Sequence, residues 1–269
     1  MTLPRLVATD LDGTALRSDG TISARTAAAF ARVEKAGATL VFVTGRPPRW
    51  MHEVAGAVRH HGLAICANGA ITYDLHNEEV VEAHLIEPGI LEECVHRLRT
   101  HLPELRFSAE YENHFGYEPG FRIGVLDSRH NAGAQLKLST LTSRPCAKLL
   151  AQHPYLPSDE LYRRTLDLVG DLVTPTYSSD SETRALIEMS AHGVTKATAL
   201  AAFAAGHGID AAEVVAFGDM PNDVPMLTWA GRSYAVANAH PEVLAAVDHV
   251  TAANNEDGVA LVLEELFPE

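Results

Sequence analysis

The chain has 269 residues, of which 46% are hydrophobic, so it is long enough to bury a full core and indicates two domains. Its formal net charge of -14 argues against nucleic acid and anionic lipid as partners, because like charges repel. Its three cysteines are odd in number and include no CxxC pair, which favours buried thiols in a reducing compartment over disulfides or a zinc site. With no apolar run of membrane-spanning length and no leader pattern, we predict a cytoplasmic protein without a membrane partner.

The first third of the chain alternates short apolar strands with helical patterns. Ser23 is a candidate N-cap for the first helix, and Gly37 follows its end. Such alternation is typical of a parallel sheet with helices on its faces. The predicted strands are 6–9, 39–43 and 63–66, and the predicted helices are 23–36 and a segment from Pro47-Pro48 to about 61.

The same alternation returns near the C-terminus, whereas the middle of the chain has shorter and less regular connections. We therefore predict an α/β fold, with a parallel-sheet core domain formed by 1–82 and 188–269 and an inserted α+β domain formed by 83–187. The C-terminal elements are helices 196–207, 223–230 and 256–267 and strands 214–217, 233–236 and 249–251. The middle elements are helices 88–101, 131–142 and 158–171, strands 105–110, 146–152, 172–177 and 184–189, and a glycine- and aromatic-containing loop at 111–122.

Polar side chains follow several of the predicted parallel strands. Ligands of open parallel sheets bind at the carboxyl ends of the strands, so we expect these side chains to meet at one edge. The residues are Asp10 and Asp12 after the first strand, Thr44 after the second, Asp219, Asn222 and Asp223 after a later one, and Lys196 at the start of the preceding helix.

The two aspartates after the first strand suit phosphoryl transfer. The carboxylate of Asp10 can attack phosphorus and form an aspartyl-phosphate, which splits one difficult step into two. The carboxyl group of Asp12 can protonate the leaving group and then, as a carboxylate, activate water. A separation of two residues suits a tight turn that points one group at phosphorus and the other at the leaving oxygen.

The other polar residues suit a metal and a phosphate. Magnesium prefers oxygen ligands, and Asp10, Asp219 and a backbone carbonyl could supply part of an octahedron. Lys196, the Thr44 hydroxyl and the Gly45 amide would hold the equatorial phosphate oxygens. Each signal alone is also common in surface loops, turns and capped helices, and the ordered combination is what favours the chemistry.

Four segments of the chain resemble the motifs of the haloacid dehalogenase superfamily. They are DLDGT at 10–14, VFVTGR at 41–46, GVTKATAL at 193–200 and GDMPNDVPM at 218–226. The insertion of about a hundred residues and ANGA at 67–70 resemble the Cof-type phosphatases of that superfamily. The resemblance implies a Rossmann-like core with a large α+β cap.

The resemblance also implies roles for single residues. Asp10 would be the nucleophile and a magnesium ligand, and Asp12 the general acid and base, with its backbone carbonyl on the metal. Where the third motif often reads Lys-Gly, this chain has Lys196-Ala197, a change that favours the helix. The predicted metal residues are Asp10, Asp12, Asp219 and Asp223, and the predicted phosphate or substrate contacts are Thr44, Gly45, Arg46, Asn68, Lys196 and Asn222.

These observations predict a magnesium-dependent phosphatase that hydrolyses a small phosphomonoester through an aspartyl-phosphate. Sugar phosphates are the leading substrate class, and cofactor-type phosphates come next. The alternatives are a phosphomutase or phosphotransferase of the same superfamily, a signalling receiver that accepts phosphate, and a catalytically idle binding module. The expected partner is a small phosphorylated metabolite, and the sequence specifies neither its identity nor the oligomeric state.

Overall fold

The computed structural model describes residues 3–58, 62–112, 114–123, 133–178 and 185–268. Its strands are β1 Leu6–Thr9, β2 Thr39–Val43, β3 Leu63–Cys66, β4 Ile71–Asp74, β5 Glu79–Ala83, β6 Arg106–Glu110, β7 Phe115–Tyr117, β8 Gly133–Gln135, β9 Lys148–His153, β10 Val173–Thr176, β11 Ala185–Ala191, β12 Val214–Gly218, β13 Arg232–Val236 and β14 His249–Thr251. Its α-helices are Ala24–Lys35, Met51–Val58, Pro88–His101, Leu138–Leu141, Ser158–Val169, Lys196–Gly206, Val224–Trp229, Pro241–Ala246 and Gly258–Leu266.

The first sheet has the order β14-β13-β12-β1-β2-β3-β4-β5. The strands from β14 to β3 run parallel, and β4 and β5 add an antiparallel hairpin at one edge. All four residues of β1 are buried, because a central parallel strand is covered by helices on both faces. This burial explains the short apolar runs that predicted these strands.

The first helix shows how local sequence fixes an element of this sheet. Its N-cap is Ser23, whose side chain accepts a hydrogen bond from the Thr26 amide, as predicted. Gly37 follows the helix with a φ of 80°, a conformation that glycine adopts without strain. The helix buries Phe30 and packs against β2 and the helix Gly258–Leu266.

The second sheet has the order β10-β11-β9-β6-β7-β8 and is antiparallel except for the pair β7 and β8. The buried apolar side chains form two clusters, one packed around the first sheet and one drawn from residues between Ile86 and Met189. The predicted α/β class, with a parallel sheet and a second α+β unit, is confirmed. The division of the chain at 83 and 187 stays a prediction, and β11 belongs to the second sheet as far as Ala191.

Three details of the sequence analysis were wrong or incomplete. The hairpin β4–β5 was not predicted, because β5 reads Glu-Val-Val-Glu-Ala and resembles an exposed segment. The loop assigned to 111–122 contains β7. The helix assigned to 131–142 is a strand followed by a single helical turn, apart from 131–132, which lie outside the described residues. Gly133 allows this strand to lie close to β7, since a Cβ there would lie 2.4 Å from the Phe115 ring.

The three cysteines, Cys66, Cys94 and Cys146, are free and buried, as predicted. Across the described part of the chain, the helices are all too short or too polar to cross a membrane.

Candidate active site

Three neighbouring parallel strands position the candidate catalytic residues at one edge of the first sheet. β1 lies between β2 and β12, with Thr9 level with Phe42 on one side and Phe217 on the other. The residues that follow these strands are therefore adjacent in space. They include Asp10 after β1, Thr44 after β2 and Asp219 after β12, as the sequence predicts.

Lys196 joins two of the predicted aspartates. Its ammonium group lies 2.6 Å from Oδ1 of Asp10 and 2.6 Å from Oδ1 of Asp223. Lys196 is the first residue of its helix. The N-cap before it is Thr195, whose side chain accepts a hydrogen bond from the Thr198 amide. Only 2% of Lys196 is exposed, so both ion pairs are shielded from water. Burial alone would lower the pKa of Lys196, but the two carboxylates outweigh it and raise that pKa, so the side chain is charged.

Asp219 is held by the turn that follows β1. Thr14 Oγ donates a 2.8 Å hydrogen bond to Oδ1 of Asp219. Gly13 adopts a φ of 77°, and a Cβ at this position would lie 2.2 Å from Oδ2 of Asp219. Asp223 orders the same loop, because its Oδ2 accepts from the amides of Asp219 at 3.0 Å and Met220 at 3.1 Å.

The buried carboxylates fit a divalent cation. Asp10, Asp219 and Asp223 each offer an oxygen, and these oxygens lie within 4.8 Å of one another. Burial, followed by the repulsion of Asp223, raises the pKa of Asp219 to about 7. Burial also raises the pKa of Asp10 well above its ordinary value, in spite of Lys196. A cation with a preference for oxygen ligands would relieve this excess of negative charge, and magnesium is such a cation.

Asp12 and Arg46 form a bidentate ion pair. The guanidinium donates at 2.7 Å and 2.6 Å to the two carboxylate oxygens. The side chain of Arg46 is 9% exposed and that of Asp12 is 58% exposed. Arg46, which we expected to contact substrate, thus orients the carboxylate of Asp12, the expected acid and base.

The remaining predicted residues surround the loop after β2. Thr44 is fully buried, and its hydroxyl oxygen accepts from the Arg46 amide at 3.1 Å. The side-chain oxygen of Asn68 accepts from Asn222 at 3.1 Å, and its amide nitrogen donates to Glu188 at 2.9 Å. The side chain of Asn68 is therefore bonded within the protein and is not among those that line the cavity above Asp10.

That cavity has a volume of about 400 Å³ and lies between the two sheets. Of the predicted residues, Asp10, Asp12, Gly45, Arg46, Lys196 and Asn222 line it. We predicted no residue on its opposite side from the sequence, although a charged residue within a buried strand pattern, such as Lys148 or Glu188, was an available signal. The lining residues from the second sheet include Ser108, Glu110, Phe115, Lys148, Leu150, Gln152, Leu186 and Glu188.

Comparison with known proteins finds relatives that match this chain over nearly its whole length. The Bacillus subtilis strain 168 protein YxeH, a candidate phosphatase by its name, is 28% identical over 273 residues, which cover 97% of this chain and 98% of that protein. The Thermotoga maritima structure TM0651 is 26% identical, with a TM-score of 0.77 over 98% of this chain and 97% of that chain. The subclass IIB sugar phosphatase BT4131 shares the fold at 19% identity, with a TM-score of 0.81 over 97% of this chain and 98% of that chain.

The family comparison covers nearly the whole sequence, including every residue assigned above to the site. The pattern of the haloacid dehalogenase-like hydrolases matches residues 7–263. The chain belongs to the family of haloacid dehalogenase-like hydrolases.

Proposed function

We propose that this hydrolase is a magnesium-dependent phosphatase that acts on a small phosphomonoester, with Asp10 as the nucleophile. The observation that carries the proposal is the position of Asp10, which is 5% exposed, bonded to Lys196 and open to a cavity of about 400 Å³. A carboxylate beside a fixed ammonium group can attack an anion that it would otherwise repel. The family membership and the name of YxeH support the same reaction.

The proposed mechanism assigns one residue to each step. Asp10 Oδ attacks phosphorus, and the bond to the leaving oxygen breaks. Asp12, after it takes up a proton from solvent and separates from Arg46, donates that proton to the leaving oxygen. Asp12 then removes a proton from water, which attacks the aspartyl-phosphate and releases inorganic phosphate. Lys196 stays charged and offsets the negative charge of the transferring group, since its ammonium already lies 2.6 Å from the nucleophile.

Magnesium would be held by Asp10 and Asp219, together with the backbone carbonyl of Asp12. It would supply positive charge for the phosphoryl oxygens. Asp223 is better placed to hold other groups, because one of its oxygens accepts from Lys196 and the other from two backbone amides. Chelation should abolish phosphate release and magnesium should restore it, and unchanged turnover in excess chelator would contradict the metal assignment.

The substrate class is proposed from the cavity. A volume of about 400 Å³ suits a small metabolite, and its wall combines charged, amide and hydroxyl side chains with aromatic ones. Sugar phosphates are therefore the first class to test, followed by cofactor-type phosphates. A panel assay that measures both free phosphate and isomerised sugar separates a phosphatase from a phosphomutase. A long-lived phosphoprotein would indicate a receiver instead. A cytoplasmic location without nucleic-acid or membrane partners remains a prediction. The acidic net charge and the free cysteines support it.

The decisive experiment separates the two aspartates. Asp10→Asn should give neither a covalent intermediate nor turnover. Asp12→Asn should keep magnesium binding and lose proton transfer, which is worth about 10²–10⁴-fold. With an aryl phosphate, whose leaving group needs little protonation, Asp12→Asn should give a burst of phenol and then stall. Rapid-quench kinetics measures the burst. A burst from Asp10→Asn would overturn the assignment of the nucleophile.

A further inference from the structure

A buried ion pair of the second sheet reaches across to the loop that follows β2. Lys148 begins β9 and Glu188 lies on the adjacent strand β11, and 3% and 5% of these residues are exposed. The ammonium of Lys148 donates both to Glu188 and to the carbonyl oxygen of Gly45, at 2.8 Å. A charged group from the second sheet thus ends on a backbone atom of the first.

The peptide unit that Lys148 contacts is held at both ends. Its carbonyl oxygen, on Gly45, accepts from Lys148, and its N–H, on Arg46, donates to the hydroxyl oxygen of Thr44 at 3.1 Å. A cation at the carbonyl oxygen polarises the peptide and makes its N–H a better donor. Because the oxygen of Thr44 accepts this bond, the hydroxyl hydrogen is turned away from the amide and is left to donate elsewhere.

Glu188 supports the same loop from a second direction. One of its oxygens accepts from Asn68 Nδ2 at 2.9 Å and from Ser178 Oγ at 3.0 Å. The backbone amide of Asn68 donates to the carbonyl oxygen of Thr44 at 3.0 Å. Glu188 also supplies the negative charge without which an ammonium group would be costly to bury. The pair therefore fixes both the side chain and the backbone of Thr44.

We propose that Lys148, with Glu188 as its counter-charge, is a positioning residue for the phosphate-binding loop 44–46. It acts through the peptide of Gly45 and the hydroxyl of Thr44, and not on the leaving group of the substrate. This inference rests on the proposed phosphatase function, in which Thr44 binds the phosphoryl group. Since Lys148 comes from the second sheet, the loop has its full set of bonds only when the two sheets are together as in this structure.

The test compares the native chain with Lys148→Met/Glu188→Gln, which removes both charges of the buried pair together. Calorimetric titration with inorganic phosphate, in the presence of magnesium, measures the phosphate affinity of the loop 44–46 with a ligand that has no leaving group. We expect phosphate to bind roughly tenfold to a hundredfold more weakly once Lys148 is replaced, the loss of a hydrogen bond from a charged donor. The variant should lose kcat/KM by the same factor with an aryl phosphate as with acetyl phosphate. Lys137→Met, at an exposed lysine of the same region, is the control and should change neither value.

A double-mutant cycle with Thr44→Val tests whether Lys148 acts through Thr44. If it does, adding Thr44→Val to Lys148→Met/Glu188→Gln should cost much less phosphate affinity than adding it to the native chain. Additive losses, or a loss for one substrate with unchanged phosphate affinity, would overturn the proposal. If thermal unfolding shows that Lys148→Met/Glu188→Gln does not fold, Lys148→Gln is measured in the same way. If the native protein binds phosphate but hydrolyses no substrate, the proposed function is overturned. The phosphate titration then still decides the role of Lys148.

Discussion

Replacing Lys196 by methionine should reduce both the stability and the activity of the enzyme. Methionine keeps most of the side-chain volume, so the change removes the charge and two hydrogen bonds without opening a large cavity. The ammonium is buried and lies 2.6 Å from both Asp10 and Asp223. The substitution therefore leaves two buried carboxylates without their shared partner.

The size of the effect follows from this geometry. Removing one partner of a buried ion pair typically costs about 3–5 kcal/mol, because the remaining charge is uncompensated. Uptake of a proton by Asp10, whose pKa burial already raises, would limit the loss. Turnover should fall by at least roughly a hundredfold, since a cation next to the transferring phosphoryl group is lost. Magnesium should narrow the stability difference, because it offsets the same negative charge.

Urea unfolding, with and without magnesium, measures the free energy, and release of phosphate from an aryl phosphate measures turnover. Lys35→Met is the matched control, because Lys35 is exposed at the end of the first helix and should change stability by no more than about 0.5 kcal/mol. If Lys196→Met behaved like this control in both assays, the buried ion pairs would have no energetic or catalytic role, and our interpretation of the site would be wrong.

Three further outcomes follow from single features of the structure. Gly13→Ala should weaken magnesium activation by roughly tenfold to a hundredfold, because the new Cβ would lie 2.2 Å from Asp219 Oδ2; an unchanged magnesium titration would contradict this. Burial alone would raise the pKa of Glu188, but Lys148 and the hydrogen bonds to the carboxylate lower it. The native chain should therefore be more stable than Glu188→Gln, and this difference should be complete above about pH 4.3, the usual pKa of glutamate in an unfolded chain. The difference should disappear as the pH falls through the lower pKa of Glu188 in the folded protein. Urea unfolding at several pH values measures it. Burial raises the pKa of Cys66 and Cys94 to about 12, so a thiol reagent at neutral pH should react with the cysteines only after unfolding, and rapid reaction of the native protein would argue against their burial.

The motifs at the strand ends were readable because they are local. A run such as Leu6–Thr9 followed by Asp10 specifies a buried strand and the polar turn after it, and the parallel sheet brings such turns to one edge. The second sheet was harder to predict from the sequence, since short strands such as Phe115–Tyr117 and Gly133–Gln135 depend on their partner strands more than on their own residues. The hairpin β4–β5 was missed for the same reason.

The sequence by itself determined the α/β class and the succession of core strands and helices along the chain, and it predicted Asp10, Asp12, Lys196 and Asp219 as the chemical residues. Strand and helix periodicity and the motifs are properties of neighbouring positions. The tertiary structure alone decided which residues meet when they are far apart in the sequence. Arg46 pairs with Asp12, and Lys148 with Glu188 and the carbonyl of Gly45, through contacts between residues up to 103 positions apart. Such pairings depend on how strands align within each sheet and how the two sheets pack against each other, and no local pattern of residues records that arrangement.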